Sequence, residues 1–236
     1  EAPIAVGRGR WFRPLAFALV AILWLGFYRL SFKPLMADFY LQRGNLKILF
    51  ASPAEALADL QGSLAWEDFG VNASMRLGEV NFKAGKYPEA IRHFQNAAER
   101  SPGLPTAYAN LGLSLYMAGL PDRAKEAYRK ALAISTAYPV VHNNLGNILL
   151  DEGQYPAAIE AYRRAIALNP AYANAHYNLG LALNRGENPE DGVEAFRQAA
   201  RIDPGMAEAW YNLASLQARL GRKAEALESL ARAVSL

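Results

Sequence analysis

The chain has 236 residues, is 52% apolar and 20% charged, and contains no cysteine, which excludes disulfide frameworks, thiolate metal sites and cysteine nucleophiles. Its net charge of +3 is unevenly placed: residues 1–36 hold Arg8, Arg10, Arg13, Arg29 and Lys33 against Glu1, while the rest carries 20 basic and 21 acidic side chains. A near-neutral body behind a basic head excludes nucleic-acid binding by bulk electrostatics.

The first predicted element is apolar. Fifteen uncharged residues, Pro14 to Tyr28, lie between Arg13 and Arg29. Arginines can snorkel and Trp11 and Tyr28 suit an interface, so residues 11–32 are long enough for a membrane span. The expected membrane-interface residues are Trp11, Arg13, Tyr28 and Arg29. A helix buried among copies of itself in a fibre would have the same composition. No small-x-small cleavage site follows, because the apolar run leads directly into Arg29-Leu30-Ser31-Phe32-Lys33. The arginine balance puts the N-terminus inside and the body on the periplasmic or extracellular side.

From Ala37 onward the chain repeats every 34 residues, with new units opening at Val71, Pro105, Pro139, Ala173 and Ala207. With Ala37 as position 1, position 8 reads Gly44, Gly78, Gly112, Gly146, Gly180, Ala214, and position 24 reads Leu60, Phe94, Tyr128, Tyr162, Phe196, Leu230. Small residues also fill position 20 (Ala56 to Ala226) and position 27 (Ser63 to Ala233). This pattern predicts two helices per unit crossing closely, with one bulky side chain filling the gap between units. Gly85, Gly119, Gly153, Gly186 and Gly221 are expected to end the first helices in left-handed caps. Pro53, Pro88, Pro121, Pro156 and Pro189 are expected to open the second helices.

These columns resemble tetratricopeptide repeats, as in VVHNNLGNILLDEGQYPAAIEAYRRAIALNP (140–170) and AEAWYNLASLQARLGRKAEALESLARAVSL (207–236). The resemblance implies an all-α, right-handed α-solenoid of about six 34-residue helix–turn–helix repeats, preceded by the single apolar transmembrane or assembly helix of residues 1–36. Residues 37–70 read as a degenerate first repeat, because Arg43 stands where the family has leucine and Lys47 where it has a tyrosine or another large residue. Five units follow, 71–104, 105–138, 139–172, 173–206 and 207–236.

Chemistry for catalysis is not expected. His142 and His176 share position 4, which other units fill with Tyr40, Tyr108 or Trp210, so they read as packing residues; His93 reads likewise. Glu67-Asp68, Asp151-Glu152 and Glu190-Asp191 read as solvated charges near helix ends. No phosphate loop, nucleophile elbow or metal-protease motif is present, and no cofactor or metal is expected. The resemblance instead implies a concave groove for protein partners. Position 6 reads Asn110, Asn144, Asn178 and Asn212, an amide ladder of the kind that some family members use on extended peptide backbones; Tyr116, Tyr177 and Tyr211 join it as candidate binding residues. Met75, Ala109 and Asn143 stand where the family's carboxylate clamp would need lysine. The array ends at Leu236 in an apolar helix rather than a polar cap, which points to a covering partner, a homo-oligomer or further residues.

Three functional expectations follow. The first is a non-enzymatic, membrane-anchored interaction scaffold within a larger assembly. The second is a pilin-like extracellular filament subunit, although Ala5 stands where type IV pilins carry glutamate. The third is the tail of a larger enzyme: PLMADFYLQRG (34–44) followed by repeats resembles the end of O-antigen ligase-like polysaccharide enzymes, and the initial Glu1 suggests processing or truncation.

Overall fold

The computed structural model describes residues 25, 28–50, 53–66, 70–186 and 188–236. A π-helical turn, Tyr28–Phe32, leads into α1 (Lys33–Phe50), which is paired with α2 (Pro53–Trp66). The hairpins α3 (Val71–Lys83)/α4 (Tyr87–Arg100), α5 (Pro105–Met117)/α6 (Pro121–Ile134) and α7 (Pro139–Asp151)/α8 (Tyr155–Leu168) follow. The series closes with α9 (Ala173–Arg185)/α10 (Pro189–Ile202) and α11 (Ala207–Arg219)/α12 (Lys223–Val234). Among the described residues there is no strand. Contacts divide the chain into two compact units, Glu1–Ser101 with α1–α4 and Pro102–Leu236 with α5–α12.

Most of the expected apolar N-terminal segment, with Trp11 and Arg13, lies outside the described residues. Its far flank, Tyr28 and Arg29, sits in the π-helical turn. Among the described residues no helix is long and apolar enough to cross a membrane. Helix α1 begins at Lys33, ahead of the expected repeat start at Ala37. Nothing before Ala37 stops it: Pro34 occupies the first turn, where a missing N–H forfeits no bond.

The turn chemistry follows the sequence with one exception. Gly85, Gly119, Gly153 and Gly221 have φ of 73° to 77°, a region cheap only for glycine. Gly186 instead has φ −86°. It stands one position earlier in its unit than the other four, so it caps α9 in a right-handed conformation, donating to Ala182 O at 2.8 Å. The closing bond survives this shift. Asn188 N donates to Leu183 O at 3.0 Å, as Gln154 N does to Leu149 O at 2.8 Å and Arg222 N to Gln217 O at 2.9 Å.

Within each hairpin the position-24 side chain lies across the position-8 glycine of its own unit. A Cβ added to Gly78, Gly112 or Gly146 would stand 2.5 Å from the ring of Phe94, Tyr128 or Tyr162, and one on Gly180 would stand 2.7 Å from Phe196. The bulky residue therefore fills the crossing inside the unit as well as the gap to the next. Phe196 also packs against Leu213 and Leu216, and Tyr162 against Ala182. The last unit keeps the volume balance differently, with Ala214 at position 8 and Leu230 at position 24.

The two odd cations of the first repeat have a common partner that the sequence columns do not reveal. Asp59 on α2 is buried and accepts Arg43 Nη2 at 3.1 Å, Arg43 Nε at 3.2 Å and Lys47 Nζ at 2.9 Å. The Arg43 guanidinium also lies 5.6 Å from the Phe39 ring centroid, a cation–π distance. An ion triad takes the place of the leucine that position 7 carries in the other five units.

Two measurements test this packing. Gly180→Ala is expected to lower stability by about 1–3 kcal/mol despite alanine's better helix propensity. Adding Phe196→Leu should cost less in that background than alone, read from urea unfolding followed by circular dichroism. Asp59→Ala leaves two cations facing an apolar gap. Because Arg43 remains part-exposed, the loss should be about 2 kcal/mol, below the range for a fully buried pair, and should show as faster hydrogen exchange confined to α1 and α2.

Candidate functional site

The candidate surface is the face formed by the first helices of residues 102–236, namely α5, α7, α9 and α11. Consecutive first helices are joined by polar side chains 35 residues apart, one more than the repeat. The Tyr116 hydroxyl donates to Asp151 Oδ2. Asn178 Nδ2 donates to Asn143 Oδ1 at 3.0 Å and also to Asn147 Oδ1 at 3.0 Å. Asn212 Nδ2 donates to the Tyr177 hydroxyl at 3.1 Å, and Arg219 Nη1 to Asn184 Oδ1 at 2.7 Å. Two registers recur: position 6 reaches position 5 of the preceding unit, and position 13 meets position 12.

This geometry sets what each expected residue has to offer. The four asparagines do not form one exposed row of amides. Asn178 and Asn212 are half-buried and committed to neighbouring repeats, while Asn212 also donates to Glu208 O at 2.9 Å. Asn144 is buried and accepts Asn143 Nδ2 at 3.3 Å. Its amide opposes the upward push that burial gives the Tyr128 phenol, although the Tyr128 hydroxyl reaches no partner within hydrogen-bond geometry. Asn110 is half-buried on α5. Among the tyrosines, Tyr211 is 60% exposed. Tyr177 packs tilted on Phe196 with ring centroids 5.7 Å apart; burial raises its phenol, Glu208 adds to this, and Asn212 opposes it.

Tyr116 is the most perturbed of the candidates. Burial first, then the hydrogen bond to Asp151 and that carboxylate's charge, push its phenol up to about 12. Tyr162, whose hydroxyl donates to Asn147 Oδ1 at 2.8 Å, is also raised by burial.

The described acidic residues read as solvated charges near helix ends are exposed, and three of them also pair with a side chain of a neighbouring repeat. Asp151 holds Tyr116, and Glu152 Oε1 takes Lys125 Nζ at 2.7 Å. Glu190 takes Arg222 Nη2 at 2.6 Å, and Asp191 accepts Asn188 Nδ2 at 2.7 Å beside the start of α10. Glu67 and Asp68 lie outside the described residues. For Asp151 the advance signal is complementary polarity at a spacing of 35, whereas the Glu152–Lys125 and Glu190–Arg222 pairs are 27 and 32 residues apart and share no common spacing.

The histidines are packing residues with a defined partner. The ring Nε2 of His142 is 3.2 Å from Thr136 O and that of His176 is 3.0 Å from Pro170 O. Trp210 Nε1 donates to Pro204 O at 3.0 Å from the same repeat position. Each ring ties a first helix to the carbonyl six residues earlier, at the end of the preceding unit. His93 is half-buried, and burial first, then Arg92, lower its pKa against the opposing pull of Glu89. Among the described residues no group of three or more histidine, aspartate or glutamate side chains could hold a metal ion.

Hairpins of equal length, repeated and cross-linked through their first helices, define a helical-repeat protein of the kind that presents extended binding surfaces. Family models described as tetratricopeptide repeat match residues 71–137 and 185–236, and one described as TPR repeat matches 146–185. The chain carries tetratricopeptide repeats over these residues. Among solved structures, MamA is 28% identical with a TM-score of 0.61, the match covering 67% of this chain and 93% of MamA. YrrB, described as a TPR protein with an unusual peptide-binding site, is 24% identical, with 72% and 88% of the two chains covered and a TM-score of 0.58. The type IV pilus biogenesis factor PilW is 18% identical, with coverage of 82% and 90% and a TM-score of 0.74. The last two likenesses speak to the fold alone. No curated protein sequence matches the chain.

The Tyr116 clasp gives a titration that can be followed. A phenol with a raised folded-state pKa contributes stability that is complete below its ordinary value of 10 and is lost as pH rises towards about 12. Phenolate difference absorbance between wild type and Tyr116→Phe should therefore show one tyrosine ionising near pH 12. Asp151→Ala should bring that titration down towards 10.

Proposed function

We propose that the chain is a non-enzymatic protein-interaction scaffold whose first-helix face in residues 102–236 holds an extended, near-neutral peptide segment of a partner. The observation that carries this reading is the set of polar rungs between consecutive first helices. They fix side-chain amides and phenols in register along one face, and such groups offer both donors and acceptors to a peptide backbone. Preorganisation of this kind lowers the ordering cost of binding. The local charges also favour a neutral ligand, because Asp151 is engaged by Tyr116 and Glu152 by Lys125. His142 and His176 are occupied with main-chain carbonyls.

Anchoring belongs to the same proposal. The apolar run Pro14–Tyr28 between arginines supports attachment to a membrane through residues 11–32. The repeats then project on the periplasmic or extracellular side as part of a larger assembly.

The test is binding of a fluorescent library of extended neutral peptides to the full chain. Tyr211→Ala and Asn110→Ala should each weaken the best binders about five- to tenfold, the worth of one lost hydrogen bond or aromatic contact. Affinity should change little with added salt. Binders that are unaffected by both substitutions, or that require high net charge, would overturn the reading.

A further inference from the structure

Helix α1 carries two apolar stripes on opposite sides. One faces α2: Ala37 and Gly44 are buried, and Leu41 packs against the cluster of Leu60, Leu77 and Val80. The other faces outward. Leu35, Phe39 and Leu46 are 65%, 49% and 54% exposed, and Gln42 among them is exposed too. Their spacing of four, three and four residues is that of the inner positions of a heptad, with Phe39 and Leu46 at a and Leu35 and Gln42 at d. Phe32, stacked on Tyr28 with ring centroids 5.8 Å apart, falls at the preceding a position.

The joint between repeats does not suit this stripe. At position 3, where α1 has Phe39, the later first helices have Ala73, Ala107, Val141, Ala175 and Ala209, all fully buried. A site shaped for alanine or valine has no room for a phenylalanine ring. A lipid surface suits it poorly as well. Gln42 stands in the middle of the stripe and Asp38 at its edge, and acyl chains offer neither of them a hydrogen bond.

A second copy of α1 satisfies every one of these groups. A seven-residue repeat is self-complementary, because two such helices supercoil with a set against a and d against d. In a parallel pair each g position faces the e position five residues further on in the other helix. Here g is Asp38 and e is Arg43, an acid and a base. Asp38 is exposed, with Gln42 Nε2 3.4 Å away. Asp59 takes Nη2 and Nε of Arg43 and leaves Nη1, on a side chain that is 45% exposed. Because α2 already holds α1 as a helix, pairing carries no nucleation cost.

We propose that two copies of the chain pair through α1 as a parallel coiled coil. Leu35, Phe39 and Leu46 meet their counterparts, Gln42 bonds Gln42 across the axis, and Asp38 of each copy faces Arg43 of the other. A single polar residue in an apolar seam specifies its register. Like surfaces meet about a two-fold axis, so the assembly closes at two. It uses no residue of the peptide face and stands apart from the proposed function.

The first experiment is sedimentation equilibrium of the full chain in density-matched mild detergent over rising concentration. The wild type should reach dimers and nothing larger. Leu35→Glu and Leu46→Glu should each weaken pairing at least about tenfold. Both side chains are exposed, so circular dichroism should show unchanged helicity, and Leu46→Met should pair like the wild type. The second experiment uses the absence of cysteine from the chain. Gln42→Cys should give disulfide-linked dimers on mild oxidation, because a parallel, in-register seam sets the two thiols within bonding reach. Glu89→Cys, exposed on α4, should not. The proposal is overturned by a wild type that stays monomeric up to roughly 100 µM, by glutamate variants that pair like the wild type, or by Gln42→Cys cross-linking no faster than Glu89→Cys. Those outcomes would assign the stripe to lipid or to another segment of the chain.

Discussion

Everything in this molecule rests on a ring lying against a glycine. In five units the position-24 side chain crosses the first helix where position 8 has no Cβ, and an added Cβ would stand 2.5–2.7 Å from it; the last unit has alanine there and the smaller Leu230 at position 24. That approach fixes the separation of the paired helices. It also places the ring's far side against the next first helix, as Phe196 meets Leu213 and Leu216. One contact therefore sets both the hairpin and its spacing to the next, and the spacing in turn brings side chains 35 residues apart within hydrogen-bond reach. Close packing leaves little freedom to adjust such a joint.

The polar rungs depend on this spacing and give the array its second property. Apolar contacts between repeats are tolerant of small slides, whereas hydrogen bonds between amides, phenols and carboxylates are not. Tyr116–Asp151, Asn178–Asn143 and Asn212–Tyr177 thus act as register pins for consecutive first helices. The proposed peptide face is lined by the same groups. Their commitment to neighbouring side chains differs from unit to unit, which is why the four asparagines are not equivalent even though they recur at one position.

The first repeat reaches its fold by different means. With Arg43 in place of the leucine of the other units and Lys47 one turn further on, the α1/α2 joint is held by a buried carboxylate shared between two cations. An arrangement of this kind is more demanding in geometry than an apolar plug, because each charge removed from water must find its partner. It also leaves Phe39 and Leu46 exposed on α1, in contrast to the residues at the same positions of the later first helices, which are buried.

The sequence by itself determined the helix pairs from Val71 onward. A strict period of 34, glycine at position 8, proline at the head of second helices and glycine after first helices each have a local cause in backbone sterics. The ring-tethered histidines were legible as packing residues because tryptophan and tyrosine share their position. Other features became definite only in the tertiary structure. The partner of Arg43 and Lys47 lies on the neighbouring helix, sixteen residues from Arg43, and no column marks it. Gly186 breaks its series through a one-residue shift that changes which backbone angles its place in the turn requires. The partners of Asp151 and Glu152 lie one repeat away. The physical reason is common to the two sets of polar pairs, while Gly186 follows from its own one-residue offset in the unit. Periodicity reports what each residue does for its own helix, whereas the pairing of charges and amides depends on how far one helix is displaced against the next, and only the packed structure sets that displacement.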